Sequence, residues 1–293
     1  MKRIERLHPM TLFLTMLCAV LPAMFCLNPI VQLISCLGAL LLYLSVRESG
    51  RKKEWLWLIL FCTVIIVLQP VFHHSGKTVL FYVNQNRITL EAVVYGIVTA
   101  FMLAGIFIWC KSLSLVMTSD RVVYLVGRIS QKAALICSMA LQFIPRFRRQ
   151  MQKIREQQKL LGLYREATLI DRIRGELYIF SATVTWAFEH SMDTADSMQA
   201  RGYGTGKRTW YTQYYMHASD YLLSVSAIFL TVWIFVAYAN GELTVTYYPQ
   251  IGMPVLGAAG WLAYAAYLIV CLLLPGYCFS GTVHEWLIRH GRI

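Results

Sequence analysis

Residues 88–110 read ITLEAVVYGIVTAFMLAGIFIWC, and Glu91 is the only charged side chain among them. At a rise of about 1.5 Å per residue a helix of this run is roughly 35 Å long, enough to cross about 30 Å of hydrocarbon. Backbone amides find no water there, so a continuous helix is the economical form. Five further runs have the same character: 11–27, 30–46, 55–72, 221–239 and 254–274. The first two are at the short limit for a span, and Asn28-Pro29 between them suits a tight hairpin. Pro70 and the polar stretch to Arg87 close the third.

Composition agrees. Of 293 residues, 57% are hydrophobic and 14% are charged, whereas a soluble domain is about a quarter charged. This excludes an ordinary soluble enzyme, a disordered chain and a collagen-like fibre. Lys and Arg number 27 against 15 acids, a formal +12. In a soluble protein that excess would suggest nucleic acid. Here positive-inside bias accounts for it, so nucleic acid is not an expected partner. With both termini inside, segments 1–10, 47–54, 111–220 and 275–293 hold 25 of the 27 cations, leaving Lys77 and Arg87 outside. The expectation is an all-α integral membrane protein of about six spans. Its parts are N-terminal spans over 1–110, a cytoplasmic region over 111–220, and C-terminal spans with a cytoplasmic tail over 221–293.

Lys2, Arg3 and Arg6 before an apolar stretch imitate a secretory signal. A second apolar run follows at once without a small-residue cleavage site, so the first span is read as retained. Trp55, Trp57 and Trp286 are expected at the membrane interface, and Glu91 likewise. Asp220 reads as a cap or first-turn acid of the fifth span. The eight cysteines lie mostly in apolar runs and include no CxxC pair or zinc-ligand spacing, so no disulfide framework is expected.

The excursion over 111–220 is too long for an ordinary connection. Ala133 to Pro145 is apolar but short for a crossing, and reads as a helix against the membrane or buried beneath it. From there Leu141, Ile144, Phe147, Met151, Ile154 and Leu161 keep one face apolar. Arg146, Arg148, Arg149, Lys153, Arg155 and Lys159 stand opposite. Pro145 is compatible with a kink or with the first turn of a new helix, and Gly162 with a stop. A second amphipathic helix is expected from about 176 to 201, with Leu177, Phe180, Val184, Ala187, Ser191, Ala195 and Met198 on its apolar face. Gly202 suits a left-handed C-cap, and Arg201 a helix C-terminus. Residues 145–174 carry nine cations and three acids. Lipid phosphate accounts for part of that charge, and a docking surface for an acidic-rimmed partner accounts for the paired helices as well.

Catalytic signals are weak. His190 and Asp193 share a helix face, but two or three loosely placed ligands do not define a metal site. His73-His74 has no third ligand nearby. Tyr203-Gly204-Thr205-Gly206-Lys207 lacks the GxxxxGK[ST] frame of a phosphate loop. No acidic or histidine chain runs through the spans to carry protons or ions. The alternatives are a freestanding secondary transporter and a membrane-embedded enzyme.

Residues 191–204, SMDTADSMQARGYG, carry a resemblance. With Ala200-Arg201-Gly202 followed by Tyr203-Gly204, they resemble the signature of the T component of energy-coupling factor (ECF) transporters, the cobalt, biotin and vitamin-type T proteins. Leu141-Gln142-Phe143-Ile144-Pro145 and Ile154 to Leu163 are similar to that family's first coupling helix, and Leu7-His8-Pro9-Met10-Thr11 to its N-terminal start. At the first tip Leu160-Leu161-Gly162 stands where the family usually has Ala-Arg-Gly. Either Lys159 supplies charge there in another geometry, or that contact is mainly apolar.

The resemblance implies a multi-pass protein of a bacterial or archaeal cell membrane. Its partners would be two cytoplasmic ABC-type ATPase subunits, a membrane S component that binds a vitamin or metal ion, and membrane lipids. It implies no enzyme activity and no cofactor in this chain, with ATP and Mg in the ATPases. The implied ATPase contacts are Ala200, Arg201 and Gly202 at one tip and Lys159, Leu161 and Gly162 at the other, with Arg155 and Arg148 as contacts to lipid or partner.

Overall fold

A computed structural model describes residues 7–46, 52–72, 76–83, 86–162, 169–206, 214–252 and 257–289. Lys2, Arg3, Arg6, His73, His74, Leu163 and Lys207, and the side chain of Trp286, lie outside the described residues. The elements are α1 (Pro9–Phe25), α2 (Pro29–Val46), α3 (Lys52–Phe72), β1 (Val79–Val83), β2 (Asn86–Thr89), α4 (Leu90–Val116), α5 (Ser119–Ile129), α6 (Gln131–Leu160), α7 (Leu169–Ala200), α8 (Ala218–Ala239) and α9 (Ala258–Arg289). They fall into two compact units, one of Met1–Thr118 with Tyr214–Ile293 and one of Ser119–Gln213.

In the first unit α2 packs on α4 and α9, α3 on α4, α1 on α8, and α8 on α9. Four helices are long and apolar enough to cross a membrane: Pro29–Val46, Leu90–Val116, Ala218–Ala239 and Ala258–Tyr277. Pro9–Phe25 and Trp55–Pro70 are shorter apolar stretches. Every apolar run in the sequence is thus a helix, but bounds differ. Helix α4 continues to Val116 rather than 110, and α9 runs on to Arg289 through the stretch read as a tail. The polar connection after α3 holds an antiparallel hairpin, β1 on β2. Glu91 is buried there and not merely interfacial: its Oε1 accepts from the Thr78 amide at 3.2 Å, tying the hairpin to the first turn of α4. Asp220 is the expected first-turn acid, its Oδ2 accepting from the His217 amide at 3.3 Å. Trp55 is half-buried and edge-on to Tyr43, whereas Trp57 is exposed.

Asn28 caps α2, its Oδ1 accepting from the Ile30 amide at 3.0 Å while its Nδ2 donates to Tyr264 Oη at 2.7 Å and Leu243 O at 3.2 Å. Gln32 Nε2 donates to Ala23 O and Cys26 O at 2.7 and 2.8 Å, partners for carbonyls that the end of α1 leaves over. Tyr247, in the α8–α9 connection, donates its hydroxyl to Leu27 O at 2.6 Å. Burial, with Tyr95 beside it, pushes that phenol up to about 12, so it keeps the proton it donates.

Prolines organise the helix contacts. A proline has no N–H for the carbonyl four residues back. Pro22 in α1 thereby leaves Cys18 O without its helical donor, and Thr231 Oγ1 of α8 lies 3.4 Å from that oxygen. One residue on, Tyr267 of α9 donates to Ala19 O at 3.0 Å. Pro275 does the same to Cys271 O, and there α2 presents Gly38: a Cβ on Gly38 would lie 2.7 Å from Cys271 Cβ and 3.2 Å from that carbonyl oxygen. Pro70 leaves Ile66 O, and α4 presents Gly96, whose Cβ would lie 3.5 Å from it and 3.1 Å from Gln69 Cβ. Small residues opposite these sites let backbones approach where side-chain bulk would hold them apart.

In the second unit α5 packs on α6 and α6 on α7. Helix α5 was not anticipated. Helix α6 runs unbroken from Gln131 to Leu160 with Pro145 inside, so the apolar stretch before Pro145 and the basic stretch after it are one helix. Helix α7 begins at Leu169, one to two turns before the expected start. The face it buries is Gly175, Ile179 and Thr183, not Leu177 and Phe180, which are exposed, and Leu141 and Ile144 of α6 are exposed too. Several large apolar side chains of both helices therefore point outward.

Gly38→Ala should lower the stability of the purified protein by about 1–3 kcal/mol, the usual cost of overpacking. Gly105→Ala is the matched control, since its Cβ would meet Ser35 Oγ at an ordinary 3.5 Å. Thermal unfolding in one mild detergent should show the Gly38 variant melting lower and the Gly105 variant near the parent. Equal midpoints would refute the close α2–α9 approach.

Candidate functional site

Both long helices of the second unit end in an exposed tip closed by a left-handed glycine. In α7 the Gly202 amide donates to Gln199 O at 2.9 Å and the Tyr203 amide to Met198 O at 3.0 Å. This is the paired bonding of a Schellman cap, with Gly202 at φ +77° where a Cβ would be strained. The Thr205 hydroxyl fastens the turn, donating to Gly202 O at 2.7 Å. Ala200 and Arg201 are exposed immediately before the glycine.

Helix α6 ends similarly. The Leu161 amide donates to Gln157 O at 3.1 Å, the Gly162 amide to Lys159 O at 3.2 Å, and Gly162 has φ +88°. Leu160 and Leu161 are 88% and 79% exposed, and Lys159 is exposed beside them. Leu161 and Arg201 therefore occupy matching places, each directly before a left-handed glycine. One tip presents hydrocarbon and the other a guanidinium, which binds a carboxylate through two parallel N–H bonds.

Arg155 differs from these residues. Its Nη2 lies 2.6 Å from Glu176 Oε2 on α7, so the side chain ties the two helices together. Both groups are about half exposed, and solvent screening limits such a pair to roughly 0–1 kcal/mol. Arg148 is exposed on the wall of a groove between α6 and α7.

That groove encloses about 1050 Å³. Beside it Trp186 stacks on His190 at 5.1 Å and 9° and on Phe143 at 6.0 Å and 28°. His190, weighed as a metal ligand with Asp193, is instead a member of this aromatic stack. Among the described residues no group of three or more His, Cys, Asp or Glu is placed to hold a metal ion. The groove and the stack were not read from the sequence. The signal was present in Trp186 and His190 four residues apart on one helix, with Phe143 on the other.

Comparisons with known proteins identify the family of the whole chain. Residues 1–211 match the CbiQ family, described as cobalt transport protein. The chain is 28% identical over 191 residues to energy-coupling factor transporter transmembrane protein EcfT 1 of Listeria monocytogenes, covering 61% of this chain and 70% of that one. To the EcfT of Macrococcus caseolyticus it is 26% identical, over 67% of this chain and 80% of the relative. To that of Streptococcus equi subsp. equi it is 26% identical, over 82% and 94%.

Replacing Gly202 by Ala puts a Cβ on a left-handed residue, 3.3 Å from Thr205 Oγ1, a cost of about 1–2 kcal/mol. Hydrogen exchange should speed roughly tenfold at the amides of Gly202 and Tyr203 while mid-α7 amides stay protected. Unchanged exchange at the tip would contradict the cap.

Proposed function

The chain belongs to the CbiQ family of cobalt transport proteins and is the transmembrane component of an ECF transporter, and from that premise we propose how its two tips work. Each tip docks in a cytoplasmic ABC-type ATPase subunit, and the helices behind them carry the ATPases' movement to a membrane S component that holds a vitamin or metal ion. ATP and Mg act in the partner subunits, and this chain supplies no cofactor site. Both termini and residues 111–220 face the cytoplasm, in keeping with the distribution of cations.

The observation that carries this reading is the matched pair of tips. An exposed side chain directly before a left-handed glycine, at the end of a helix of 30 or 32 residues, is a narrow projecting contact. Gly202 and Gly162 turn the chain away so that a partner backbone can come close. Arg201 fits a carboxylate in a groove, and Ala200 keeps that tip slim. Leu161, with Leu160 beside it, fits an apolar pocket, and Lys159 adds charge at its rim. The two ATPase contacts thus rest on different chemistry, one bidentate and charged, the other hydrophobic. Arg155, engaged with Glu176, stiffens the pair of helices and is a weaker contact than the tips.

Arg201→Glu should weaken ATPase association at least about tenfold, since it loses a charge-assisted pair and sets like charges together. Membrane insertion should be unaffected. Leu161→Asp should weaken the other contact, and Leu161→Arg should be better tolerated than Leu161→Asp. Copurified ATPase and ATP-dependent uptake in proteoliposomes read both. Parental values for Arg201→Glu would reject the assignment, and uptake by this chain alone would point to a freestanding transporter.

A further inference from the structure

One recess in the first unit takes no part in the coupling role. It lies where α2, α3 and α4 meet, is lined by Tyr43, Trp55, Leu58, Phe107, Ile108 and Lys111, and encloses about 20 Å³. Tyr43 and Ile108 are buried and Trp55 stands edge-on to Tyr43 at 5.8 Å and 75°. Phe107 is 49% exposed, so the recess opens on the outside of the unit. Lys111 is the only cation of α4, and Glu91 its only acid. The two stand about 30 Å apart along the helix, one hydrocarbon thickness. Glu91 is bonded to the hairpin, so Lys111 marks the opposite boundary of the bilayer. Trp and Tyr settle at that level too. In the sequence, residues 47–54 just before Trp55 add Arg47, Arg51, Lys52 and Lys53 against Glu48 and Glu54.

We propose that this recess is a headgroup site for an anionic phospholipid: one phosphate oxygen enters it beside Lys111, and the acyl chains lie outside, over Phe107. The lining decides the ligand. The Lys111 ammonium and the Trp55 indole N–H donate and cannot accept, and the Tyr43 hydroxyl can donate. Among the described residues no carboxylate lines the recess. A water molecule there would have to donate as well as accept. A phosphate oxygen only accepts, and its bond to a cation is charge-assisted. The volume is room for one water-sized group. A whole phosphate does not fit, so the rest of the ligand lies at the surface. A lipid meets that condition, because its acyl chains hold the headgroup at this depth. Basic pockets between membrane helices take anionic headgroups in the same way. Free phosphate has no such anchor and would rest on a single ammonium. The site is separate from the ATPase contacts at the tips and does not depend on which side of the membrane this end of α4 faces.

The test uses the full chain in phosphatidylcholine nanodiscs doped with a trace of either phosphatidylglycerol or phosphatidylcholine, each carrying the same diazirine on its acyl chain next to the glycerol. After illumination, labelled peptides are mapped by mass spectrometry over 52–60 and 104–115. Phosphatidylglycerol should label these peptides at least about fivefold more than phosphatidylcholine, roughly what one cation near the surface contributes. Lys111→Gln should cut that preference by about fivefold, and Lys111→Arg, which keeps the charge, should retain it. Labelling around Phe229, 69% exposed on α8, should be the same in all three proteins. Equal labelling of 52–60 and 104–115 by the two lipids in the parent would overturn the proposal. So would a preference that Lys111→Gln leaves unchanged, suppression of the labelling by excess inorganic phosphate, or protection of these peptides by a copurified polypeptide.

Discussion

Hydrocarbon cannot hydrate a carbonyl oxygen, and that constraint decides how the helices of the first unit meet. Proline creates such oxygens, and the chain places it inside α1, α3 and α9. Each time, the neighbouring helix brings something small to the vacated carbonyl: the Thr231 hydroxyl at Cys18, Gly96 at Ile66, Gly38 at Cys271. The hydroxyl can donate a bond. The glycines instead let backbone come within van der Waals range. With apolar tails on the outside, no hydrophobic force sorts one helix face from another, so contacts of this kind set the pairing. Side-chain donors on α1 carbonyls, Gln32 to Ala23 O, Thr231 beside Cys18 O and Tyr267 to Ala19 O, fix the first helix against α2, α8 and α9.

The second unit follows a different logic. Helix α7 buries Gly175, Ile179 and Thr183, the Phe143–Trp186 stack joins it to α6, and several large apolar side chains turn outward. In water that arrangement would be costly, at about 25 cal/mol for each Å² of apolar surface left exposed. It suits a unit whose outer faces are met by lipid or by other subunits. The same economy appears at the tips, where a shared backbone turn carries two unlike side chains.

Much of this was legible in the sequence, and the reason is physical. Hydrocarbon filters composition so strongly that runs such as 90–110 admit one conformation. A glycine shortly after the last helical residue, at 162 and 202, marks a stop because only glycine adopts that turn freely. What was missed depended on partners distant in sequence. Nothing local in Leu177 or Phe180 distinguishes a face turned toward α6 from one turned toward lipid, and the helical period is the same for both. Pro145 was compatible with a kink inside a helix or with the start of a new one, because its ring removes an amide in either place, and α6 carries it inside. The hairpin was visible in retrospect: Val79-Leu80-Phe81-Tyr82-Val83 is rich in β-formers and is followed by Asn84-Gln85. At the tips, Gly162 and Gly202 marked the helix ends, while Leu161 was singled out by the family resemblance. The groove needed the third dimension.

Helix α6 runs for 30 residues, about 45 Å from end to end, yet Pro145 removes the amide that Leu141 O would accept midway along it. A load at Leu161 therefore meets two compliant places. One is that weakened turn. The other is Ser130, between α5 and α6, where the backbone leaves helical geometry with φ −148° and ψ 116°. A lever built this way would pivot at Ser130 and flex at Pro145.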